Sequence, residues 1–317
     1  LMSKAFFEII RPGIHSTLQD LGRSNQYHIG IPFSGSMDKR NYLIGNKLLG
    51  NNFNEASLEF AYQGPLMKFH SGNATGVITG NVTFNIIRKN SKIDKGVCYE
   101  TFVLSDGDIL DIISTNRSVY GYFSIKNGFT GEYIWESCST NTKAKIGSNN
   151  GQKFENKQKV YINKKESLSD LKKINYLNSK IEFIRVLKGT NFNFFSKKAT
   201  EIFFSNQFEV SKLTDRMGMR LEGPKIENYV ETNIRSEGLI KGVIQVPADG
   251  NPIIMLSDHG TIGGYPKIGV IISADYDKLV QLSPSSKIKF KLVELKEAEK
   301  LFKFYKMETD NLLNQIR

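Results

Sequence analysis

The sequence predicts a mainly β protein with short helices, and three observations support this fold class. Apolar and polar residues alternate with a period of two over residues 58–62 and 82–86, which is typical of strands. The turn sequence Asp106-Gly107-Asp108 lies between two further apolar runs and indicates a hairpin. The predicted strands are short and closely spaced, which favours a sandwich or a barrel over alternating strands and helices.

The first half of the chain contains one predicted helix among strands. A strand near residues 7–10 ends at a Pro-Gly turn. Ser36 is placed to cap a helix that continues to Leu49, and the Gly50-Asn51 pair is a typical helix end. Further strands of this half are predicted near residues 58–62, 82–86, 102–104, 109–112 and 119–125.

The second half is also rich in strands. It opens with a predicted strand at 181–187 and a short helix near 194–199. Apolar residues from Leu295 to Ile316 recur at spacings of three, four and seven, which predicts an amphipathic helix that packs on its own domain or docks on a partner. Further strands are predicted at 208–210, 239–246, 252–256, 270–273 and 287–293. The predicted organisation is a β-barrel domain over 1–178, a second over 179–295, and a C-terminal helix over 296–317.

The net charge of +11 is concentrated in one region. Residues 141–180 contain ten lysines and three acidic residues, a net charge of +7, which leaves +4 for the rest of the chain. This Lys- and Asn-rich region lacks the interleaved aromatic residues and arginines that read bases, so a solvated region is favoured over a nucleic-acid surface. No nucleic-acid partner is expected.

Several classes of site and location are not indicated by the sequence. No apolar run has the length of a membrane span, and the first residues lack the hydrophobic segment of a signal peptide, so we expect a cytoplasmic protein without a membrane partner. Cys98 and Cys138 are expected to be free thiols. No P-loop sequence is present. The four histidines show no metal-binding spacing, so no metal site is expected. Met67-Lys68 lacks the flanking residues of a biotin attachment site, so no covalent biotin is expected on this chain.

A glycine-rich loop after the apolar run 252–256 is the strongest candidate site. The adjacent Gly263 and Gly264 can adopt positive φ and let a ligand approach the main chain, and their N–H groups can then converge on an anion. The alternative is a tight hairpin with a structural aspartate. The same loop contains side chains suited to acid–base chemistry and anion binding, namely Asp258, His259, Thr261, Tyr265 and Lys267.

Two arginines form a second candidate. Arg216 and Arg220 are four residues apart, and residues at this spacing face the same way on a strand. Two guanidinium groups on one face can clamp a carboxylate or a phosphate. The alternative is that they form surface ion pairs with Asp215 and Glu222.

Several motifs run along the chain in a recognisable order. They are RPG (11–13), TLQDLGR (17–23), GIPFSGSMD (30–38), Leu58-Glu59 before Gly64-Pro65, DRMGMRL (215–221), SEG (236–238), IQVP (244–247) and DHGTIGGYPKI (258–268). In these motifs the chain resembles the biotin-dependent carboxyltransferase family, also called allophanate hydrolase subunit 2 or KipA-like proteins. The family includes the C subunit of 5-oxoprolinase and the carboxyltransferase domain of urea carboxylase. The chain departs from the family pattern at residues 259–262, 147–153 and 284–286.

The resemblance implies a fold, an activity and partners. The fold would be two cyclophilin-like β-barrel domains with the site in the cleft between them. The activity would be that of one component of an ATP-dependent 5-oxoprolinase, which converts 5-oxo-L-proline to L-glutamate and uses ATP with Mg²⁺ in the assembled complex. The partners would be an allophanate hydrolase subunit 1-like protein, which is the B subunit of 5-oxoprolinase, and a third component, the A subunit. The alternatives are carboxyl transfer from carboxybiotin on another chain to urea or a similar acceptor, and a non-enzymatic KipA-like regulatory role.

The resemblance and the candidate motifs together predict the site residues. The catalytic set comprises Asp258, His259, Tyr265 and Lys267. The substrate-binding set comprises Arg216, Arg220, Gln245, Thr261, Gly263 and Gly264 in the second half, with Asp20, Arg23, Ser34, Asp38 and Glu59 in the first half.

Overall fold

A computed structural model of the protein describes residues 4–177, 181–227 and 233–316. The predicted fold class is confirmed in that the chain is mainly β with short helices, a nearly closed barrel-like sheet and a C-terminal helix. The contacts divide the chain into two compact units. The first unit comprises 1–23, 34–177 and 310–317, and the second comprises 24–33 and 178–309. The segment 24–33 therefore groups with the second unit, although it lies inside the predicted N-terminal domain.

The first unit contains two antiparallel sheets, ordered β11-β1-β4-β9-β6-β7 and β2-β3-β10-β5-β8. Its strands are β1 (Phe6–Arg11), β2 (Thr17–Gln19), β3 (Ser57–Ala61), β4 (Leu66–His70), β5 (Asn73–Thr79), β6 (Val82–Ile87), β7 (Ile93–Lys95), β8 (Phe102–Ser105), β9 (Ile109–Thr115), β10 (Tyr120–Ile125) and β11 (Lys159–Tyr161). Its helices are α1 (Lys39–Leu48) and the single turn α2 (Ser148–Gly151). A cluster of aromatic rings fills the core, with Phe7 edge-on to Phe123 at 5.3 Å between ring centroids.

Helix α1 begins later than the sequence indicated. Asp38, not Ser36, is its N-cap, and the Asp38 side chain accepts a hydrogen bond of 3.1 Å from the Asn41 amide. The Ser36 amide instead donates to the carbonyl of Asp20. The helix ends as predicted, with Gly50 at φ 61° directly after Leu49.

Strands β3 and β10 are buried along their entire lengths. The alternating pattern of β3 is typical of a strand with one solvated polar face, but here the polar residues are paired inside the unit. Ser57 and Ser124 form a hydroxyl–hydroxyl hydrogen bond of 2.7 Å. Helix α1 approaches this face through Gly45, where a Cβ would lie 2.7 Å from the Ser124 hydroxyl. A polar face can be buried here because its groups satisfy one another.

The second unit contains an eight-stranded sheet ordered β20-β13-β14-β17-β16-β19-β12-β21 and a two-stranded sheet, β15-β18. Strands β20 and β21 lie at opposite ends of the sheet order, where β20 pairs with β13 and β21 pairs with β12. Only Lys289 separates β20 from β21 in the chain, so this segment joins the two ends and the sheet forms a nearly closed barrel. The strands are β12 (Ile184–Lys188), β13 (Phe208–Val210), β14 (Gly218–Glu222), β15 (Glu237–Gly238), β16 (Val243–Gln245), β17 (Ile253–Met255), β18 (Ile262–Gly263), β19 (Lys267–Ile271), β20 (Lys287–Ile288) and β21 (Phe290–Leu292). The helices are α3 (Lys197–Ser205) and α4 (Tyr276–Leu279).

The predicted C-terminal helix is α5 (Leu295–Gln315). Its apolar residues pack on this chain. Ala298 and Leu301 contact the cluster around Ile272, while Leu313 joins the cluster around Ile44. No helix within the described ranges is long and apolar enough to cross a membrane.

The Lys- and Asn-rich region 141–180 is partly regular. Its strand β11 pairs with β1, and the turn α2 contains Asn149, Asn150 and Gly151 with positive φ. Asparagine and glycine tolerate this left-handed conformation better than other residues do. The lysines in the described part of this region are exposed, apart from the half-buried Lys172, as expected for a solvated region.

Candidate functional site

The glycine-rich loop over residues 256–266 joins β17 to β19. These strands are not neighbours, because β16 lies between them and pairs with both. The alternative of a tight hairpin is therefore wrong. Within the loop, β18 pairs with β15, which places Glu237 opposite Gly263.

The glycines of this loop provide space and do not adopt positive φ. Neither Gly263 nor Gly264 has a φ in the left-handed region, so the positive φ that adjacent glycines permit is not used here, and contact of their N–H groups with a ligand stays a prediction. A Cβ at Gly263 would lie 2.6 Å from the amide nitrogen of Gln245 and 2.7 Å from Leu239. A Cβ at Gly264 would lie 3.1 Å from the carbonyl of Ile234. Both glycines thus permit close packing of neighbouring segments.

Asp258 and Arg216 form a buried ion pair. The Arg216 Nε donates to Asp258 Oδ2 at 2.8 Å, and a second guanidinium nitrogen donates to Oδ1 at 3.0 Å. Each side chain is only 3 % exposed, and the Asp258 amide also donates to the Arg216 carbonyl at 2.9 Å. This two-point geometry fixes the start of the loop against the segment before β14.

Arg220 does not share a face with Arg216. Strand β14 begins at Gly218, so Arg216 lies before the strand. The expectation that residues four apart on a strand face the same side therefore does not apply to this pair. Arg216 is buried whereas Arg220 is exposed. The prediction of a clamp made from both guanidinium groups on one strand face is therefore wrong, as is the alternative that Arg216 forms a surface ion pair.

His259 is 1 % exposed and uses both ring nitrogens. Its Nδ1 lies 2.6 Å from the carbonyl oxygen of Gly260, and its Nε2 lies 2.9 Å from the hydroxyl of Tyr27. Burial lowers the pKa of His259 below its ordinary value, so the neutral imidazole is favoured. Asp258 is not the partner of this ring, since its carboxylate is bound by Arg216.

Lys267 is a buried cation with a half-exposed partner. Its side chain is 3 % exposed, and its Nζ donates to Glu237 Oε2 at 2.9 Å, whereas the Glu237 side chain is 43 % exposed. The Lys267 amide donates to the Asn191 side chain at 3.1 Å. The hydrogen bond from Lys267 is the main cause that holds the pKa of Glu237 below its ordinary value. Glu237 was not predicted as a site residue, although it lies in the SEG motif.

The remaining predicted residues of the loop differ in exposure. Gln245 is buried, and its side-chain amide donates to the carbonyl of Tyr265 at 3.4 Å. The carbonyl of Thr261 accepts from the Leu239 amide at 2.8 Å, and its side chain is largely buried. Tyr265 is 38 % exposed. The loop therefore combines a buried imidazole, a buried ammonium and a more accessible phenol.

Asp20 lies in a buried polar network in the first unit. Its Oδ1 accepts from the Ser137 hydroxyl at 2.6 Å and the Gly22 amide at 2.8 Å, and its Oδ2 accepts from the Cys138 amide at 2.8 Å. Burial and the nearby Asp20 raise the pKa of the Cys138 thiol. Cys138 and Cys98 are both free cysteines, as predicted.

Arg23 and Ser34 contact the same polar segment, 137–141. Arg23 is fully buried and donates to the carbonyl of Ser139. The Ser34 hydroxyl accepts from the Asn141 side chain at 3.0 Å. Sequence reasoning missed this segment, although its four small polar residues around a single cysteine were a detectable signal.

Asp38 and Glu59 meet through Tyr122. The Tyr122 hydroxyl donates to Glu59 Oε2 at 2.7 Å and accepts from the Asp38 amide at 2.8 Å. The Met37 amide also donates to Glu59, at 2.8 Å. The five predicted residues of the first unit thus lie in hydrogen-bonded networks of that unit, and their contact with a substrate stays a prediction.

Neither unit shows a metal-binding cluster in its described residues. There, no group of three or more His, Cys, Asp or Glu side chains is arranged to hold a metal ion.

Comparison with known proteins gives a consistent set of similarities. The family described as carboxyltransferase domain, subdomain A and B, matches residues 29–292. The chain is 31 % identical to the C subunit of 5-oxoprolinase from Haemophilus influenzae, over 95 % of this chain and 94 % of that protein. It is 26 % identical to urea amidolyase of Lachancea kluyveri, over 93 % of this chain but 17 % of that protein.

A comparison with solved structures indicates the same likeness as the sequence comparisons. The crystal structure of Kluyveromyces lactis urea amidolyase aligns with a TM-score of 0.87 at 25 % identity. The alignment covers 98 % of this chain and 20 % of that one.

Proposed function

Since this chain belongs to the family of carboxyltransferase domains with subdomains A and B, we propose that it is the C subunit of an ATP-dependent 5-oxoprolinase. This enzyme would hydrolyse 5-oxo-L-proline to L-glutamate. The observation that carries the choice within the family is the match to the C subunit of a 5-oxoprolinase over 94 % of that protein's length. The match to urea amidolyase, in contrast, covers 17 % of that protein.

The buried ammonium of Lys267 suits the chemistry of this reaction. Opening a lactam places negative charge on the carbonyl oxygen, and a fixed cation in a site that excludes water stabilises such charge strongly. Lys267 is buried, and Glu237 holds its Nζ from a more exposed position. We assign Lys267 to the carbonyl oxygen and Glu237 to the orientation of Lys267.

Neighbouring groups of the loop have complementary roles in this proposal. A neutral His259 can accept a proton, which lactam hydrolysis requires when water attacks. Arg216 and Asp258, bound to each other, would position the loop and would not contact the substrate. The exposed Arg220 and the half-exposed Tyr265 remain available for the substrate carboxylate.

The nucleotide and the partner subunits belong to the same proposal. ATP with Mg²⁺ would act in the assembled complex, in the cytoplasm, together with the A and B subunits. The described residues of this chain form no group of three or more His, Cys, Asp or Glu side chains that could hold a metal ion, so we assign Mg²⁺ to the nucleotide of the assembled complex. The relatives that are C subunits of 5-oxoprolinases support a complex with other subunits.

The test is glutamate release from 5-oxoproline and ATP by this chain with both partner subunits. Release should stop when this chain is omitted. Lys267→Ala should lower kcat by about 10²–10³-fold, the usual cost of removing a group that stabilises an oxyanion. Lys212→Ala, which removes an exposed lysine of the same unit, is the control and should retain activity. Full activity without this chain, or with Lys267→Ala, would contradict the proposal.

Carboxyl transfer is the second candidate, and the close structural likeness to urea amidolyase favours it. In that case the chain would move a carboxyl group from carboxybiotin on a carrier protein to an acceptor such as urea. Bicarbonate-dependent carboxylation of urea in the presence of a biotinylated carrier, without glutamate release in the first assay, would support this alternative.

A further inference from the structure

Tyr27 is part of the candidate site, although no sequence motif indicated a role for it. It begins the short 3-10 turn Tyr27–Ile29, which ends at Gly30 with φ 85°. Its ring packs against Phe33 at 5.1 Å between centroids and lies 5.7 Å from the ring of His259. These contacts place the Tyr27 hydroxyl 2.9 Å from His259 Nε2.

The direction of the hydrogen bonds follows from the groups involved. The carbonyl oxygen of Gly260 can only accept, so His259 Nδ1 must carry a proton and donate it. In the neutral imidazole, Nε2 is then the acceptor, and the Tyr27 hydroxyl is the donor. The oxygen of Tyr27 keeps lone pairs that can accept a further hydrogen bond from a ligand.

The charged groups around His259 are consistent with a neutral resting state. The carboxylate of Asp258 is bound by Arg216. Burial is the largest cause and lowers the pKa of His259; the hydrogen bond to Gly260 and the charge of Asp258 raise it by less, and Lys241 lowers it slightly further. Lys241 lies over the ring of Tyr276, with its Nζ 4.2 Å from the ring centroid.

We propose that Tyr27 and His259 form a proton-transfer pair, in which the Tyr27 hydroxyl passes protons between a bound ligand and the buried Nε2 of His259. The imidazole is 1 % exposed and Tyr27 is half-buried, so the phenol is the more accessible end of the pair. The assignment of the ligand rests on the proposed function. The hydrogen-bonded pair itself does not.

The steps balance for hydrolysis of a lactam. The attacking water gives a proton to the Tyr27 oxygen while the original Tyr27 proton moves to His259 Nε2, which leaves an imidazolium and an unchanged phenol. When the carbon–nitrogen bond breaks, the imidazolium returns one proton through Tyr27 to the departing ring nitrogen. That nitrogen becomes the amino group of glutamate, and the pair returns to its starting state. No other reactant takes part in these proton transfers, and the ATP of the proposed function would activate the lactam carbonyl oxygen before water attacks.

The first test measures the pair in the full chain without substrate. Long-range proton–nitrogen NMR distinguishes the two ring nitrogens, and His259→Gln identifies the His259 signals among the four histidines. At neutral pH we expect His259 in the Nδ1–H form with Nε2 shifted as a hydrogen-bond acceptor. Tyr27→Phe should move the Nε2 signal toward that of an acceptor without a hydrogen bond. It should also slow the exchange of the Nδ1 proton with water, because protonation of Nε2 through Tyr27 precedes the loss of that proton. Tyr161→Phe removes an exposed hydroxyl from the first unit and should change neither.

The second test measures glutamate release by the assembled complex. Tyr27→Phe and His259→Gln should each lower kcat by about 10²-fold or more, with a smaller change in KM for 5-oxoproline. The double variant should lose little further activity, because the two groups act as a unit.

The outcomes separate the two proposals. An Nε2–H tautomer, or a Tyr27→Phe variant with unchanged NMR signals or unchanged kcat, would overturn the proton-transfer pair. If the wild-type complex released no glutamate, the proposed function would be wrong, and the tautomer and proton-exchange measurements would still decide on the pair.

Discussion

Asp258→Asn should destabilise the protein far more than the loss of an exposed ion pair. The substitution removes the charge of Asp258 but leaves the guanidinium of Arg216 buried, and both side chains are 3 % exposed in the wild type. An amide can accept only one of the two hydrogen bonds that the carboxylate receives, at 2.8 and 3.0 Å. Removing one partner of a buried ion pair costs about 3–5 kcal/mol, which is the expected loss in the free energy of unfolding.

Urea unfolding followed by circular dichroism measures this loss. With a slope of about 3 kcal/mol per molar urea, a loss of 3–5 kcal/mol moves the midpoint down by about 1–1.7 M. Glu201→Gln is the matched control, since the Lys197–Glu201 pair of the same unit is 3.9 Å long and exposed, and such pairs contribute about 0.5 kcal/mol or less.

The double variant tests the physical reason. Replacing Arg216 by Met and Asp258 by Leu together removes both charges, so no isolated charge stays buried. We expect this double variant to have a larger free energy of unfolding than the variant with only Arg216→Met or the variant with only Asp258→Leu. A single Asp258→Asn variant that loses less than about 1 kcal/mol, or a double variant whose loss equals the sum of the single losses, would refute the reasoning.

Two further predictions concern Glu237, in the strand that pairs with this loop, and Gly263 within the loop. The pKa of Glu237 is lowered in the folded state, so the stability that its charge contributes is present above the ordinary value of 4.5 and is lost as pH falls through the folded value. When the free energy of unfolding is measured as a function of pH, the extra stability of the wild type over Glu237→Gln should therefore disappear below about pH 4.5. A stability difference that stays constant down to about pH 2 would be inconsistent with the ion pair. Gly263→Ala should cost about 1–3 kcal/mol in thermal unfolding, because its Cβ would lie 2.6 Å from the side chain of Gln245. Gly238→Ala in the paired strand meets nothing within 4 Å and should be tolerated, so equal losses would contradict the packing argument.

Local sequence patterns located many of the elements of the fold. The spacing of apolar residues between Leu295 and Ile316 predicted helix α5, and the Gly50-Asn51 pair marked the end of α1. Such patterns work because residues three or four apart on a helix, or two apart on a strand, bury the same face. The candidate loop was also located from the sequence, since its glycines and polar residues follow a buried strand directly.

The conformation of that loop was not predicted correctly. Adjacent glycines made positive φ possible, but Gly263 instead leaves room for the side chains of Gln245 and Leu239, which pack where its Cβ would lie. Likewise, four-residue spacing indicated a shared face for Arg216 and Arg220, but strand β14 begins only at Gly218. In both cases the error arose because the sequence does not show which segment lies beside a residue or where a strand begins.

The sequence by itself determined the β-rich class, the C-terminal helix and most of the residues from which the candidate site is built, but not Tyr27 or Glu237. The tertiary structure alone decided how those residues are paired. Asp258 is bound by Arg216, 42 positions away, and His259 by Tyr27, 232 positions away. The physical reason is that periodicity records burial among near neighbours, whereas the partner of a buried polar group depends on which distant segments the fold brings together.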